Sequence, residues 1–466
     1  MLKLFTGGHA KDCEGHTRRE FLSVGTLAIG GLTLPQLFAA RANASQAGVV
    51  RDKAVVVLFL QGGPTHIETF DPKMTAPSEY RAMFGEVKTS VPGVTIGSHF
   101  PKLAKLADRM TFVRSFAHGN GSHAPAAALV AAGGNPLKAA MGSLYSRVAG
   151  LSARKTGVPT NVVISPRAAG EKYKDLGSND ERVTDVGDLP PAFKAFDPSS
   201  GSTILQNMEL RIAPARLDDR RELLHRLDDI KRQADARGTI EGADKFQQQA
   251  FDVILGGAGR AFDISGESRE TIARYDTGAF AIPKSLQKKK NNVPRQSPIA
   301  LGRQMLMARK LVEAGCGFVT VTSAGWDMHG NAFGINDGMP LLGPAVDKAA
   351  SAFLEDLIDR GLYDDVLFVI TGEFGRTPRI NNKGGRDHWG NLCTLALAGG
   401  GYNMGQVIGQ SDKTASRPSA DPVGVRELRA TVMNALFDIG KLRLEPGVPR
   451  DVYQAIDAGR PIKGLV

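Results

Sequence analysis

Two loops concentrate the residue types that hold metal ions and stabilise anions. Thr371-Gly-Glu-Phe-Gly-Arg-Thr-Pro378 carries a carboxylate, Glu373, and a guanidinium, Arg376, and Gly385-Arg-Asp-His-Trp389 follows with Asp387 and His388. Trp326-Asp-Met-His-Gly-Asn331 carries Asp327 and His329 two positions apart, a spacing that can turn both side chains to one side of a loop. Carboxylates combined with imidazoles suit Zn²⁺, Mn²⁺ or Fe. A lone Asp-x-His is commonplace in loops, so the weight lies in the repetition. A third loop, Gln61-Gly-Gly-Pro-Thr-His-Ile-Glu-Thr-Phe-Asp71, adds His66 and Asp71. A fourth stretch, His118-Gly-Asn-Gly-Ser-His123, runs into the Ala-rich segment 124–132, which ends at Gly133-Gly134. Alanine favours helix and a terminal glycine stops it. Ser122 and His123 are therefore placed at a helix N-terminus, where free N–H groups and the macrodipole favour an anion. Ser122 reads either as a helix cap or as a nucleophile.

The elements that must position these residues are apolar runs directly upstream. Ala54–Leu60, Phe318–Thr322 and Val366–Ile370 are rich in β-branched residues and unbroken by charge, as expected of strands covered on both faces. Further strands are expected at Met110–Arg114, Val162–Ser165 and Thr394–Ala398. Helices are expected at Pro101–Asp108, from Pro298 to Gly315, over Ala345–Arg360, and, as the last element, over Val425–Phe437. Alternation of helix and strand gives a doubly wound, mostly parallel α/β sheet. Ligands bind such sheets beyond the carboxyl ends of the strands, where the four loops lie. The region at about 200–297 differs. Its helices, Leu217–Arg232, Ala243–Leu255 and Ser268–Arg274, read as an α-helical insertion or cap, with His225 on a solvated face.

The 466 residues carry 58 Lys and Arg against 48 Asp and Glu, a net charge of +10 spread along the chain. Lys288-Lys-Lys290 is the one dense basic run and reads as a solvated loop. Neither an aromatic-studded basic surface nor zinc-finger spacing is present, which argues against nucleic acid as a partner. Thr17-Arg-Arg-Glu-Phe-Leu22, a mildly apolar stretch over 23–38 and Ala42-Asn-Ala44 form the three parts of a twin-arginine signal, with cleavage expected before Ser45. Residues 1–44 are thus read as a signal peptide and 45–466 as one domain. The apolar stretch is too short for a stable membrane span. The expected location is the bacterial periplasm or the exterior, with the twin-arginine translocase as the export partner. Beyond the signal, Cys316 and Cys393 remain and read equally as a pair or as buried thiols.

Gly62-Gly-Pro-Thr-His66, Gly325-Trp-Asp-Met-His-Gly-Asn331, Gly372-Glu-Phe-Gly-Arg-Thr-Pro378 and Gly385-Arg-Asp-His-Trp389, behind a twin-arginine signal, resemble the bacterial family called domain of unknown function 1501. That family looks like a branch of the alkaline phosphatase/sulfatase superfamily. The resemblance implies metals at strand ends, a nucleophile at a helix N-terminus, and hydrolysis or transfer of phosphate and sulfate esters. It aligns Asp327, His329 and His388 with one metal's ligands, and it puts Glu373 where the superfamily has the Asp of an Asp-His pair. Phe374 stands in place of that His, and Gln61 in place of a metal-binding Asp, with His66 or Asp71 as substitutes. One or two divalent ions (Zn, Mn, Fe or Ca) are therefore expected on Asp327, His329, Glu373, His388 and His66. Ser122 or His123 is expected as nucleophile or acid/base, and Arg376 as the group that steadies a small anionic ester. The rival reading keeps the fold as a non-catalytic periplasmic scaffold, because ligands of the second metal are missing.

Overall fold

The computed structural model describes residues 48–170, 173, 180–199, 259–283, 286, 297–330 and 333–466. The expected signal peptide, the helices over 217–232 and 243–255, and Lys288–Lys290 lie outside these residues. Of the expected insertion, the helix Arg269–Tyr275 is described, and its start is capped by the Ser268 hydroxyl accepting from the Thr271 amide.

Seven strands form the central sheet. In chain order they are β1 Ala54–Gln61, β2 Met110–Val113, β3 Asn161–Ile164, β4 Phe318–Ala324, β5 Val366–Thr371, β6 Leu395–Gly399 and β7 Gln406–Ile408. Their spatial order is β7-β2-β6-β5-β1-β4-β3. β1 sits in the centre, parallel to β4 on one side and to β5 on the other, with Phe59 level with both Thr322 and Thr371. β6 alone runs antiparallel to its neighbours β5 and β2, so the sheet is mostly parallel, as expected. The edge strand β7 was not foreseen. It is three residues long, too short for a periodic signal in the sequence.

Successive residues of a strand face opposite sides of a sheet, and both sides of this sheet are apolar. Val56, Leu58 and Leu60 enter one core cluster while Val55, Val57 and Phe59 enter another. On the first face lie α3 Ser297–Glu313 and α4 Ile335–Asp359, through Leu301, Met305, Leu342 and Phe353. On the second lie α1 His123–Ala132, α2 Met141–Ala149 and α5 Val425–Leu436, through Val130, Leu144 and Val432. These α-helices cover both faces of the sheet, which is the doubly wound arrangement.

α4 begins ten residues before the expected Ala345. Proline inside a helix removes a hydrogen bond and usually marks a boundary. In the structure Pro340 and Pro344 both lie within the helix, which starts at Gly334 with Asp337 accepting from the Gly334 amide. Ile335, Met339, Leu342 and Val346 continue one apolar stripe through the prolines and are all buried, so packing outweighs the lost bonds. The helix over 425–436 is likewise not the last. Ile439–Leu442 and Arg450–Ile456 follow it, the second burying Val452, Ala455 and Ile456. Cys316 and Cys393 are both free and buried, which decides that question for the thiol reading. Among the described residues no helix is long and apolar enough to cross a membrane.

Phe368 on β5 is fully buried and packs on Phe353 of α4, with ring centroids 4.9 Å apart. Truncation there removes contacts between the central strands and a whole helix. Phe368→Ala is expected to cost about 3–5 kcal/mol in urea unfolding. The exposed Leu444→Ala should stay within about 0.5 kcal/mol of the parent.

Candidate metal centre

β1, β4 and β5 end side by side, and the loops that leave them deliver the site. Gly62 follows β1 with φ 113°, a conformation that side-chain-bearing residues rarely adopt, and an added Cβ would meet the Asp327 amide nitrogen at 2.4 Å. Its amide donates to Glu373 Oε1 at 2.7 Å and its carbonyl accepts from the Arg376 guanidinium. One residue therefore ties together the loops after all three strands.

Four side chains converge there. His388 Nε2 lies 3.2 Å from Asp327 Oδ1, and His123 Nε2 lies 3.5 Å from the same oxygen. His329 Nε2 stands 3.2 Å from the other oxygen, Oδ2. His123, Asp327 and His388 offer one ligand atom each within 4.8 Å of one another, the spacing of a metal site. His329 is beside this trio rather than within it. The far sides of the first two rings are engaged as well. His388 Nδ1 is 3.0 Å from the Gly121 carbonyl oxygen, and His123 Nδ1 is 2.7 Å from Glu373 Oε1. The Gly121 carbonyl can only accept, and Glu373 Oε1, which also receives the Gly62 amide, acts as an acceptor too, so both Nδ1 atoms carry a proton. With Nε2 protonated as well, the rings donate to Asp327, and loss of that second proton turns the Nε2 lone pairs inward. The Phe374 ring backs both imidazoles, with centroids 4.9 Å from His123 and 4.8 Å from His388.

The electrostatics follow from this crowding. Burial opposes the charge of Asp327, yet hydrogen bonds from His123 and His388 and the Arg376 guanidinium hold its carboxyl well below the usual range. Burial also disfavours a charged His123, but Asp327 and Glu373 on its two sides push it up to about 9. The site thus demands positive charge, supplied by protons or by a metal cation.

Other expected residues fall elsewhere. Arg376 was expected to hold an anionic substrate. It is 1% exposed and donates to Gly63 O at 2.8 Å, Arg386 O at 3.1 Å and Asp327 Oδ1 at 2.6 Å. Its donors are spent on fixing Asp327 and the loops. Ser122 occupies the N-cap of α1, is exposed, and makes no capping hydrogen bond through its hydroxyl. His123, the next residue, is the one turned into the cluster. His66 is outside it. Its Nε2 donates to the Ala415 carbonyl at 2.9 Å, and the ring is buried beneath the loop. Asp71 accepts from the Ser411 hydroxyl and lies 3.6 Å from both Lys73 and Arg114.

Three contributors escaped the sequence reading. Gly121 acts through its backbone carbonyl, which no residue type signals. His118 donates from Nε2 to the Glu373 carbonyl at 2.7 Å, fixing the backbone of that loop. Arg386 is fully buried and donates to Glu68 Oε1 at 3.2 Å, to Arg81 O at 2.9 Å and to the Pro378 carbonyl. Its place one residue before the Asp-His pair was its only cue.

A model of the family described as protein of unknown function (DUF1501) matches residues 52–448. The chain belongs to the DUF1501 family. No curated protein matches it. Among solved structures, this DUF1501 protein is similar to the PsFucS1 sulfatase from Pseudoalteromonas sp., with 13% identity, a TM-score of 0.34, and coverage of 91% of this chain and 75% of the other. A lipoteichoic acid synthase, LtaP, from Listeria monocytogenes gives 9% identity, a TM-score of 0.30 and coverage of 89% and 81%. The phosphonate monoester hydrolase SpPMH from Silicibacter pomeroyi gives 11%, 0.32, and 82% and 73%.

His66 generates a stability prediction. Burial lowers its pKa from 6.5 to about 4, against the pull of the Ala415 carbonyl and Asp71. Between those values the unfolded chain takes up a proton that the folded protein refuses. The His66 contribution is fully present above pH 6.5 and is lost as pH falls through about 4, amounting to about 3 kcal/mol. His66→Gln keeps a donor for Ala415 and removes the titration. Denaturant unfolding at stepped pH should therefore show a shallower acid-side slope in the variant.

Proposed function

We propose that this protein is an exported, metal-dependent hydrolase of phosphate or sulfate esters. The observation that carries the reading is the convergence of His123 Nε2, His388 Nε2 and an Asp327 oxygen, with Nδ1 of both rings engaged by acceptors on the far side so that Nε2 is the nitrogen turned inward. Two imidazoles and a carboxylate suit Zn²⁺, Mn²⁺ or Fe²⁺. Calcium takes oxygen ligands and does not suit this set. His329, on the outer carboxylate oxygen, is the further ligand in this proposal.

A bound divalent ion supplies positive charge that polarises an ester oxygen. The chain's own residues do the rest. Asp327 neutralises part of that charge and stays ionised because Arg376 is fixed against it. Phe374 excludes water from the inner side of the rings, and its full burial keeps that wall rigid. The imidazoles of His123, His329 and His388 are each about a third exposed, so the open side of the site faces solvent, where a small anionic ester would enter. The twin-arginine motif supports export of the folded chain to the bacterial periplasm.

A non-catalytic scaffold is the second reading. It is favoured by the place of Ser122, whose hydroxyl lies on the exposed N-cap, and by Phe374 in place of a ligand.

Elemental analysis of the protein purified without chelator or affinity metal separates the two. About one equivalent of Zn, Mn or Fe is expected, together with turnover of p-nitrophenyl phosphate or p-nitrophenyl sulfate. His388→Ala should lose metal and turnover together. Metal retained in that variant would remove His388 from the site, and a parent protein that takes up no metal would leave the scaffold.

A further inference from the structure

Glu373 was expected as a metal ligand, and the geometry points to another task. We propose that Glu373 is a positioning residue that holds the His123 ring from behind and strengthens His123 as a ligand, without touching the metal itself. This inference rests on the metal-binding reading of the cluster.

The two ring nitrogens of His123 point in different directions, and each has its own carboxylate. Nε2 faces Asp327, in the group that meets at the site, while Nδ1 faces Glu373 Oε1 at 2.7 Å. A carboxylate engaged on Nδ1 is on the far side of the ring from the ion that Nε2 would bind. Oε1 also accepts from the Gly62 amide at 2.7 Å, so this oxygen already has two donors. The Glu373 carbonyl accepts from His118, which fixes the residue's backbone.

The side chain of Glu373 is 0% exposed, and Oε2 is buried with no hydrogen-bond partner among the described residues. A carboxylate in such surroundings is costly unless a positive charge lies close by. The Arg376 guanidinium supplies part of that charge, a metal on Nε2 would add to it through the imidazole, and the carboxylate would in turn make the ring a stronger donor. His388 shows the neutral form of the same device, with the Gly121 carbonyl in place of a carboxylate. The two rings are thus held by acceptors of different charge, and the His123 bond to the metal is the one that Glu373 strengthens.

The test uses the full chain, Zn²⁺ alone as probe, and the variants Glu373→Gln and Glu373→Ala. Zinc affinity is measured by chelator competition, coordination number by X-ray absorption at the zinc edge, and the His123 tautomer by ¹⁵N NMR. Expected are the same zinc stoichiometry and coordination number in all three proteins, with affinity about 10- to 100-fold weaker in Glu373→Gln. Glu373→Ala should be weaker again and lose the His123 Nδ1–H signal, which Glu373→Gln retains. A coordination shell one oxygen short in Glu373→Gln, or a second zinc in the parent that this variant loses, would make Glu373 a ligand and overturn the proposal. Equal affinity in all three would overturn it as well. If Glu373→Ala fails to fold by circular dichroism, Glu373→Gln alone decides between these outcomes. A parent that binds no zinc overturns the metal reading itself, and this inference with it.

Discussion

One oxygen atom, Oδ1 of Asp327, is met by the Arg376 guanidinium at 2.6 Å, His388 Nε2 at 3.2 Å and His123 Nε2 at 3.5 Å. Electrostatic attraction at these distances is strong where water is largely excluded, and repulsion between lone pairs is equally strong. Cationic charge among the imidazoles adds to that of Arg376 and favours the arrangement. Much of the nearby structure serves that condition. Arg376 is buried to supply a permanent charge, Gly121 and Glu373 decide which nitrogen of each ring faces inward, and Phe374 keeps the inner wall dry.

Packing of the sheet makes the crowding possible. β1, β4 and β5 are parallel neighbours covered on both faces, so their loops emerge together at one end and cannot slide without breaking two cores. Two arginines then staple the loops to each other. Arg376 reaches the loops after β1 and β4, and Arg386 reaches back to Glu68 and the 80–81 turn. Buried guanidiniums with several backbone acceptors are expensive to desolvate and correspondingly costly to remove. Here they give the loops after the strands a rigidity that loops ordinarily lack.

The sheet was legible in the sequence because the runs at 54–60, 318–322 and 366–370 are unbroken and apolar, and each is followed by ligand-type residues. Asp327 and His388 were readable from residue type and stand in one trio, but its third member is His123, expected as nucleophile or acid/base, and His329 lies beside it. What could not be read was direction. His66 and His388 are the same residue type in similar loops, yet one ring turns under a loop to the Ala415 carbonyl and the other toward Asp327. Arg376 and Glu373 were both given contact with substrate or metal, and burial decides otherwise for the arginine. The expected start of α4 fell ten residues late, because the tertiary contacts that carry the helix through Pro340 and Pro344 are not visible in a local stretch of sequence.

His123, Asp327 and His388 come from three separate parts of the chain, the first and last 265 residues apart in sequence. Bringing such distant positions together requires closing very long loops, and long-range contacts of this kind form late and slowly. An ion cannot therefore nucleate this fold as it does in a small zinc domain, where the ligands are near neighbours. The pairing of β1 with β4 and β5 has to come first, because only the finished sheet sets the three loops side by side. In the proposed metal enzyme the cation is the last component to arrive, captured by a chain whose architecture is already complete.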